Sequence, residues 1–268
     1  MAPTLASNEV HLWSFGLDLP EDEAASFYVT LSPDEQSRSA RFRFDRDRRS
    51  FIVAHGVLRD LLAPYVGARP GDIRFVHNVY GKPELGPEFG PHLGFNLSHS
   101  AGLALIAIAA DADVGVDVER VRAGADYAEI AKRFFSTEEV DELNRVPGHL
   151  HAEAFLGCWT RKEAYMKARG EGFAIPPESF SAAHLDGAWS LHALQPGPGY
   201  VGALAIERKG WRLRQWHGRP RIRAALPMPG TGRDYEPCGK SMTWQAGGVE
   251  SKPLRFDPLG GHNQRLAT

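Results

Sequence analysis

Three carboxylates and one lysine have the types and spacing to do chemistry. In the segment "VGVDVER", residues 114–120, strand alternation puts Val114, Val116 and Val118 on one face and Gly115, Asp117 and Glu119 on the other. Taken alone, such a strand reads as half-buried with a solvated acidic face. A second segment, "WTRKEAYMK" at 159–167, adds a third element. On a helical wheel Glu163 falls inside the apolar arc formed by Phe155, Leu156, Trp159 and Met166. Glu163 and Lys167 could be an ordinary i,i+4 surface pair worth a few tenths of a kcal/mol, but an apolar arc is a costly place for a surface carboxylate. If Glu163 meets Asp117 and Glu119, each close pair repels by roughly 4 kcal/mol at 4 Å in an effective dielectric of about 20. A cation must then balance them. Oxygen ligands without His or Cys favour a hard ion, and Mg²⁺ commonly joins a few carboxylates to substrate phosphates. The expected chemistry is metal-assisted work on a phosphorylated substrate.

Phosphate ligands should lie nearby. Arg38, Arg41, Arg43, Arg46, Arg48 and Arg49 form a basic run suited to bidentate phosphate contacts, although Asp45 and Asp47 dilute it and a solvated helix face accounts for most of it. "YGKPEL" presents Lys82 after a Gly81 turn, and "FNLSHS" presents Ser98 and His99 at a strand end. Several other chemistries are excluded. "NLSHSAG" lacks the flanking glycines of a nucleophile elbow, and no glycine-rich phosphate loop or dinucleotide fingerprint occurs. His149, His151 and Glu153 lack the i,i+4 histidine pair of a zinc protease, and Cys158 reads as core packing.

The elements that must hold these residues come in two similar sets. After a strand-like "VHLWSF", Ser32, Pro33 and Glu35 form a capping box, and a helix is expected from about Arg49 to Ala63, closed by Pro64 and "GARPG". Strands follow at "DIRFVH", "LGFNLSHS" and "GLALIAIAA". The order then repeats with "VGVDVE", a capping box at Ser136 and Glu139, and a helix from about Ala152 to Arg169, before strands at "AWSLHAL", "YVGALAIE" and "WRLRQW". Ser32 precedes Ser136 by 104 positions, as Phe51 precedes Phe155, which points to a pseudo-duplicated fold. From Met228 the chain is rich in Gly and Pro without periodicity and is expected to be mostly disordered.

Whole-chain properties narrow the classes further. With 268 residues, 43% hydrophobic and 24% charged, the chain can bury a sizeable core, and a net charge of −2 gives no support to nucleic-acid or anionic-membrane binding. Two cysteines make no disulfide framework, the start lacks a signal-peptide pattern, and the longest apolar run is too short to span a bilayer. A cytoplasmic location is the expectation.

"GVDVER", "FFSTEE" and "WTRKEAYMKARGEGF", with "GKPEL" and "FNLSHS" upstream, together resemble the signature of the 4'-phosphopantetheinyl transferases, specifically the long surfactin-synthetase-activating (Sfp-type) class. The resemblance covers roughly residues 10–227. It implies an α+β fold of two halves related by a pseudo-twofold axis, 1–112 and 113–227, with 228–268 as a flexible tail. By the same resemblance, Asp117, Glu119 and Glu163 would hold Mg²⁺, while Arg41, Arg49, Lys82, Ser98, His99, Asp117, Lys162 and Lys167 would contact coenzyme A. Glu163 would act as base and Lys167 would neutralise the leaving phosphate. The implied partners are apo acyl-carrier or peptidyl-carrier domains, one of whose helices could dock on 123–135 through Arg122, Lys132 and Arg133, with the enzyme a monomer. Two other readings are a non-catalytic coenzyme A or carrier-binding module that keeps the fold, and an Mg²⁺-dependent phosphohydrolase.

Overall fold

Two stretches of the chain fold by one plan. The structure is a computed structural model that describes residues 4–122, 124–125 and 127–218, and 245–247 as backbone. The first stretch runs β1 (Glu9–Gly16), α1 (Glu21–Tyr28), α2 (Pro33–Ser39), α3 (Asp45–Val66), β2 (Phe75–His77), β3 (Pro83–Leu85), β4 (Leu93–Ser100) and β5 (Leu103–Ala110). The second runs β6 (Val114–Arg120), α4 (Ala128–Phe134), α5 (Thr137–Asn144), α6 (His151–Arg169), β7 (Trp189–Leu194) and β8 (Tyr200–Glu207). β1 pairs antiparallel with β5, which pairs with β4; β6 pairs antiparallel with β8, which pairs with β7. The pairing order is the same in both, so the architecture is α+β with two similar halves.

The duplication extends to the polar interior. Ser32 and Glu35 close a reciprocal capping box on α2, and Ser136 and Glu139 do the same on α5. Each capping glutamate also meets a buried cation from the long helix: Arg59 Nε donates to Glu35 at 2.8 Å, and Lys162 Nζ lies 2.6 Å from Glu139. Each cation then reaches the loop beyond its helix. Arg59 donates to the carbonyls of Pro70 and Ile73, and Lys162 to those of Pro177 and Phe180. A buried charge is tolerable only when paired and hydrogen-bonded in this way, so one cation per half ties a helix cap to the following loop.

Apolar faces fix how the halves meet. Helices α1 and α3 pack on one face of the first sheet through Phe27, Val53, Val57, Leu62, Ile106 and Ile108. Its other face supplies Val10, Leu12, Leu105 and Ala107 to a core shared with Val114, Val116, Val118, Leu204 and Ile206 of the second sheet. Helix α6 covers the opposite face of that second sheet with small residues, Ala164 and Ala168 against Ala203 and Ala205. A Cβ at Gly115 would sit 2.1 Å from the Ala164 carbonyl oxygen and 2.4 Å from the Ala168 nitrogen. Only glycine lets the helix backbone approach this strand so closely, and that approach sets the distance between Asp117 and Lys167.

Several elements depart from the sequence expectations. Helix α3 runs through Pro64 and ends three residues later at Gly67, whose φ of 66° makes it a left-handed cap. A proline in the last turn removes one main-chain donor without stopping the helix. Helices α1 and α4 were not anticipated; neither has a side-chain cap to announce it. β9 (Arg212–Gly218) lies in the second half of the sequence yet pairs parallel with β1 of the first. The expected disordered tail lies outside the described residues except for β10 (Gln245–Gly247), a short strand antiparallel to β9. No helix among the described residues is long and apolar enough to cross a membrane.

Candidate active site in the seam between the halves

β4 is the last strand of the first sheet and β6 the first of the second, and they meet through side chains. The β4 residues Asn96, Ser98 and Ser100 share one face, and their side-chain oxygens accept from the backbone N–H groups of Val116 (2.9 Å), Val118 (3.4 Å) and Arg120 (3.3 Å). These acceptors satisfy donors that a neighbouring strand would otherwise take. They also bring two hydroxyls to the acidic side of β6. Ser98 donates to Asp117 Oδ1 at 2.8 Å, and Ser100 donates to Glu119 Oε2 at 2.7 Å.

From the other side, α6 delivers Lys167. Its ammonium lies 2.6 Å from Asp117 Oδ1 and donates to Ser98 Oγ at 3.2 Å. Asp117 is nearly buried, whereas 30% of the Lys167 side chain is exposed, so the pair opens on one side. Asp117 Oδ2 is buried and accepts no hydrogen bond among the described residues. Glu119 and Glu163 both feel this environment. Burial pushes the Glu163 carboxyl up, and the charges of Asp117 and Glu119 add to it against the attraction of Lys167. Burial also raises Glu119, with Asp117 adding, while the Ser100 hydroxyl, Lys167 and Arg122 pull the other way. The three acids proposed from sequence therefore share one field, as the alternation of β6 and the wheel position of Glu163 require.

A metal fits this donor set in part. No group of three or more His, Cys, Asp or Glu among the described residues converges into a ready-made metal cluster. Yet a buried carboxylate oxygen with no donor among the described residues, beside two carboxyls whose charged forms are disfavoured by burial and by like charge, is what a hard divalent cation relieves. Asp117, Glu119 and Glu163 are thus chemically suited to hold Mg²⁺.

The remaining candidates divide. His99 projects from β4 on the side opposite Ser98, and desolvation with the charges of His55 and Lys167 holds it below its usual range. Lys82 is held at the C-terminus of α6, where its ammonium bonds Asp113 (3.2 Å) and the Ala168 carbonyl (2.6 Å). Asp113 precedes Asp117 by four residues, about 13 Å along a strand. Lys162 is fully buried, and all its donors go to Glu139, Pro177 and Phe180, so the structure places it in the interior and not with the coenzyme contacts implied by resemblance. Arg41 is exposed and Arg49 half-buried. Neither is among the charges that perturb His99, Glu119 or Glu163.

Sequence reasoning missed Asn96, Ser100 and His55. A polar residue at every second position of "FNLSHS" was the available signal for the first two. His55, 3.2 Å from Glu35, carried none. Cys158 is buried among Ala131, Phe135 and Phe155, and burial pushes its thiol up to about 12, in keeping with core packing.

Comparison with known proteins follows the same division into halves. Residues 20–111 match the family model described as 4'-phosphopantetheinyl transferase, N-terminal, and residues 113–204 match that of the 4'-phosphopantetheinyl transferase superfamily. The chain is 40% identical over 223 residues to the 4'-phosphopantetheinyl transferase HetI of Nostoc sp. (strain PCC 7120), covering 80% of this chain and 94% of HetI. It is 30% identical over 174 residues to the 4'-phosphopantetheinyl transferase Sfp of Bacillus subtilis (strain 168), covering 65% of this chain and 75% of Sfp. Against the 4'-phosphopantetheinyl transferase AcpT of Escherichia coli (strain K12) the identity is 37% over 123 residues, 46% of this chain and 58% of AcpT. With both halves matched and nearly the whole of one relative covered, the chain belongs to the 4'-phosphopantetheinyl transferase superfamily and is an enzyme of that family.

Proposed function

We propose that this enzyme transfers the 4'-phosphopantetheine group of coenzyme A to a serine of apo acyl-carrier or peptidyl-carrier domains, in an Mg²⁺-dependent reaction that releases adenosine 3',5'-bisphosphate. The observation that carries the reading is the Lys167–Asp117 pair. One oxygen of Asp117 is held by Lys167 and Ser98, while the other is buried with no donor among the described residues, beside two carboxyls raised by burial and by the charge of Asp117. Such a site needs positive charge on one side and offers a proton acceptor on the other.

In the reaction the serine oxygen bonds to the phosphorus that carries pantetheine. The bond from that phosphorus to the bridging oxygen of the pyrophosphate breaks, and its electron pair leaves with adenosine bisphosphate. Little covalent work falls to the protein, which acts by positioning and charge. Glu163, whose carboxyl burial pushes above its usual range, is suited to take the serine proton. Lys167 neutralises charge on the departing phosphate; on β4, Ser98 would contact the phosphate oxygens by turning its hydroxyl proton from Asp117 to the substrate, and His99 would approach them from the other side of the strand. Arg41 and Arg49 add positive potential on the first-half side. Mg²⁺, when bound through Asp117, Glu119 and Glu163, supplies further neutralisation of the pyrophosphate. Arg122, Lys132 and Arg133, all exposed near one end of β6 and along α4, suit an acidic carrier helix.

The test is intact mass spectrometry of an apo carrier after incubation with the enzyme, coenzyme A and Mg²⁺. A phosphopantetheine increment is expected. Unmodified carriers from fatty-acid, polyketide and peptide synthesis, with coenzyme A bound or hydrolysed, would remove this reading.

A further inference from the structure

The seam contains a hydroxyl whose role the reaction as written does not require. Ser100 has a single proton to donate, and it donates it to Glu119 Oε2 at 2.7 Å. Its oxygen meanwhile accepts the Arg120 N–H at 3.3 Å, one residue beyond the acid it touches. The one hydroxyl is therefore engaged twice, as donor and as acceptor, by the strand that carries Glu119. Two residues earlier, Ser98 makes the same double contact, accepting from Val118 and donating to Asp117. Asn96 accepts from Val116 but touches no carboxylate.

The three rungs are thus alike in holding β6 and unlike in what they do to its acids. Asp117 has Lys167 as well as Ser98 to fix it. Among the described residues, the hydrogen bond to the Glu119 carboxylate is the one from Ser100, and Lys167 and Arg122 add charge nearby. Resting on the proposed function, we infer that Ser100 is a positioning residue: across the seam between the halves, it sets the direction of the Glu119 carboxylate towards the divalent cation. Hydrogen-bond partners of metal-ligating carboxylates typically change affinity by about 10–100-fold when removed.

Mn²⁺ is a suitable probe, titrated into protein saturated with coenzyme A while free Mn²⁺ is read by electron paramagnetic resonance. Ser100→Ala is expected to raise the Mn²⁺ Kd by about tenfold. Ser100→Thr keeps the hydroxyl and is expected to bind as the unaltered protein does. Asn96→Ala breaks the same ladder without touching an acid, so its folded form, checked by near-ultraviolet circular dichroism, is expected to retain Mn²⁺ affinity. Unchanged affinity in Ser100→Ala, equal weakness in Ser100→Thr, or an equal loss in folded Asn96→Ala would each overturn the inference. Should Asn96→Ala not fold, the Ala and Thr variants at position 100 decide the matter. If the unaltered protein loads carrier yet binds no Mn²⁺ with coenzyme A, this inference alone falls. If it loads no carrier, the functional reading falls with it.

Discussion

Strands β1 and β6 occupy the same place in the repeated three-strand units β1-β5-β4 and β6-β8-β7, and their outer edges are closed in different ways. β1 is sealed by another strand: β9 pairs with it in parallel from Glu9 to Phe15. The surroundings are dry and aromatic, with Trp13 stacked on Trp216 at 4.4 Å and His11 buried against Tyr65 and Trp216. β6 is sealed by Asn96, Ser98 and Ser100, whose side chains take the place of a partner strand. Backbone pairing uses up the edge and directs side chains above and below the sheet. Side-chain pairing satisfies the same N–H groups but leaves hydroxyl protons over, and here they go to Asp117 and Glu119. One fold unit used twice thus has an edge closed by backbone in one half and, in the other, an edge closed by side chains that also touch two carboxylates, the reactive edge of the proposed function.

If the reactive edge is where chemistry occurs, removing its central charge should have the largest effect. Asp117→Asn keeps the shape but loses the charge that holds Lys167, and carrier loading followed by mass should fall by about 10³-fold, or about 4 kcal/mol. Retained activity would mean the two edges do not differ in function.

The buried cations are the feature both halves share, so breaking one should affect stability and leave the chemistry intact. Lys162→Ala strands Glu139 and two carbonyls and should cost about 3–5 kcal/mol in denaturant unfolding. Its folded fraction should keep the KM for coenzyme A, and a KM raised tenfold without loss of stability would restore Lys162 to the coenzyme site.

Acid should discriminate against the structural edge. Burial foremost, with the charge of Arg214 adding and Glu9 opposing, pushes the His11 pKa down to about 4. The unfolded chain binds this proton below about 6.5 and the folded chain does not. Stability from His11 is therefore complete above pH 6.5 and is lost as pH falls towards 4, by about 3 kcal/mol. Unfolding free energies across that window should fall less steeply in His11→Gln, by at most about 1.4 kcal/mol per pH unit.

The smallest expected effect sharpens the geometry. In Gly115→Ala the new methyl meets the α6 backbone, which should shift the helix, cost about 1–3 kcal/mol and lower kcat more than it raises KM for coenzyme A. A variant with full kcat would show that the approach of α6 to β6 does not set the Asp117–Lys167 distance.

Local chemistry was legible in the sequence, and long-range pairing much less so. Both capping boxes join residues three positions apart and were readable, as were the alternation of β6 and the wheel position of Glu163. Lys162 misled because its partner Glu139 lies on another helix, and nothing in "WTRKEAYMK" tells a buried cation from one facing substrate. Lys82 was legible as a lysine after a turn, but its bond to the end of α6 joins residues 86 positions apart. β9 looked like a strand, but its choice of β1 as partner depends on which edge was left open. Ser100 stood in plain view beside Ser98, yet only the closeness of β4 to β6 reveals what its proton does.

The most direct test of the reactive edge is an anomalous difference map from crystals grown with Mn²⁺ and coenzyme A. The account predicts a peak in the seam, against Asp117 Oδ2 and the carboxylates of Glu119 and Glu163, with the pyrophosphate of coenzyme A beside it and Lys167. A peak near His149 and His151, or coenzyme A bound away from the junction of β4 and β6, would contradict it.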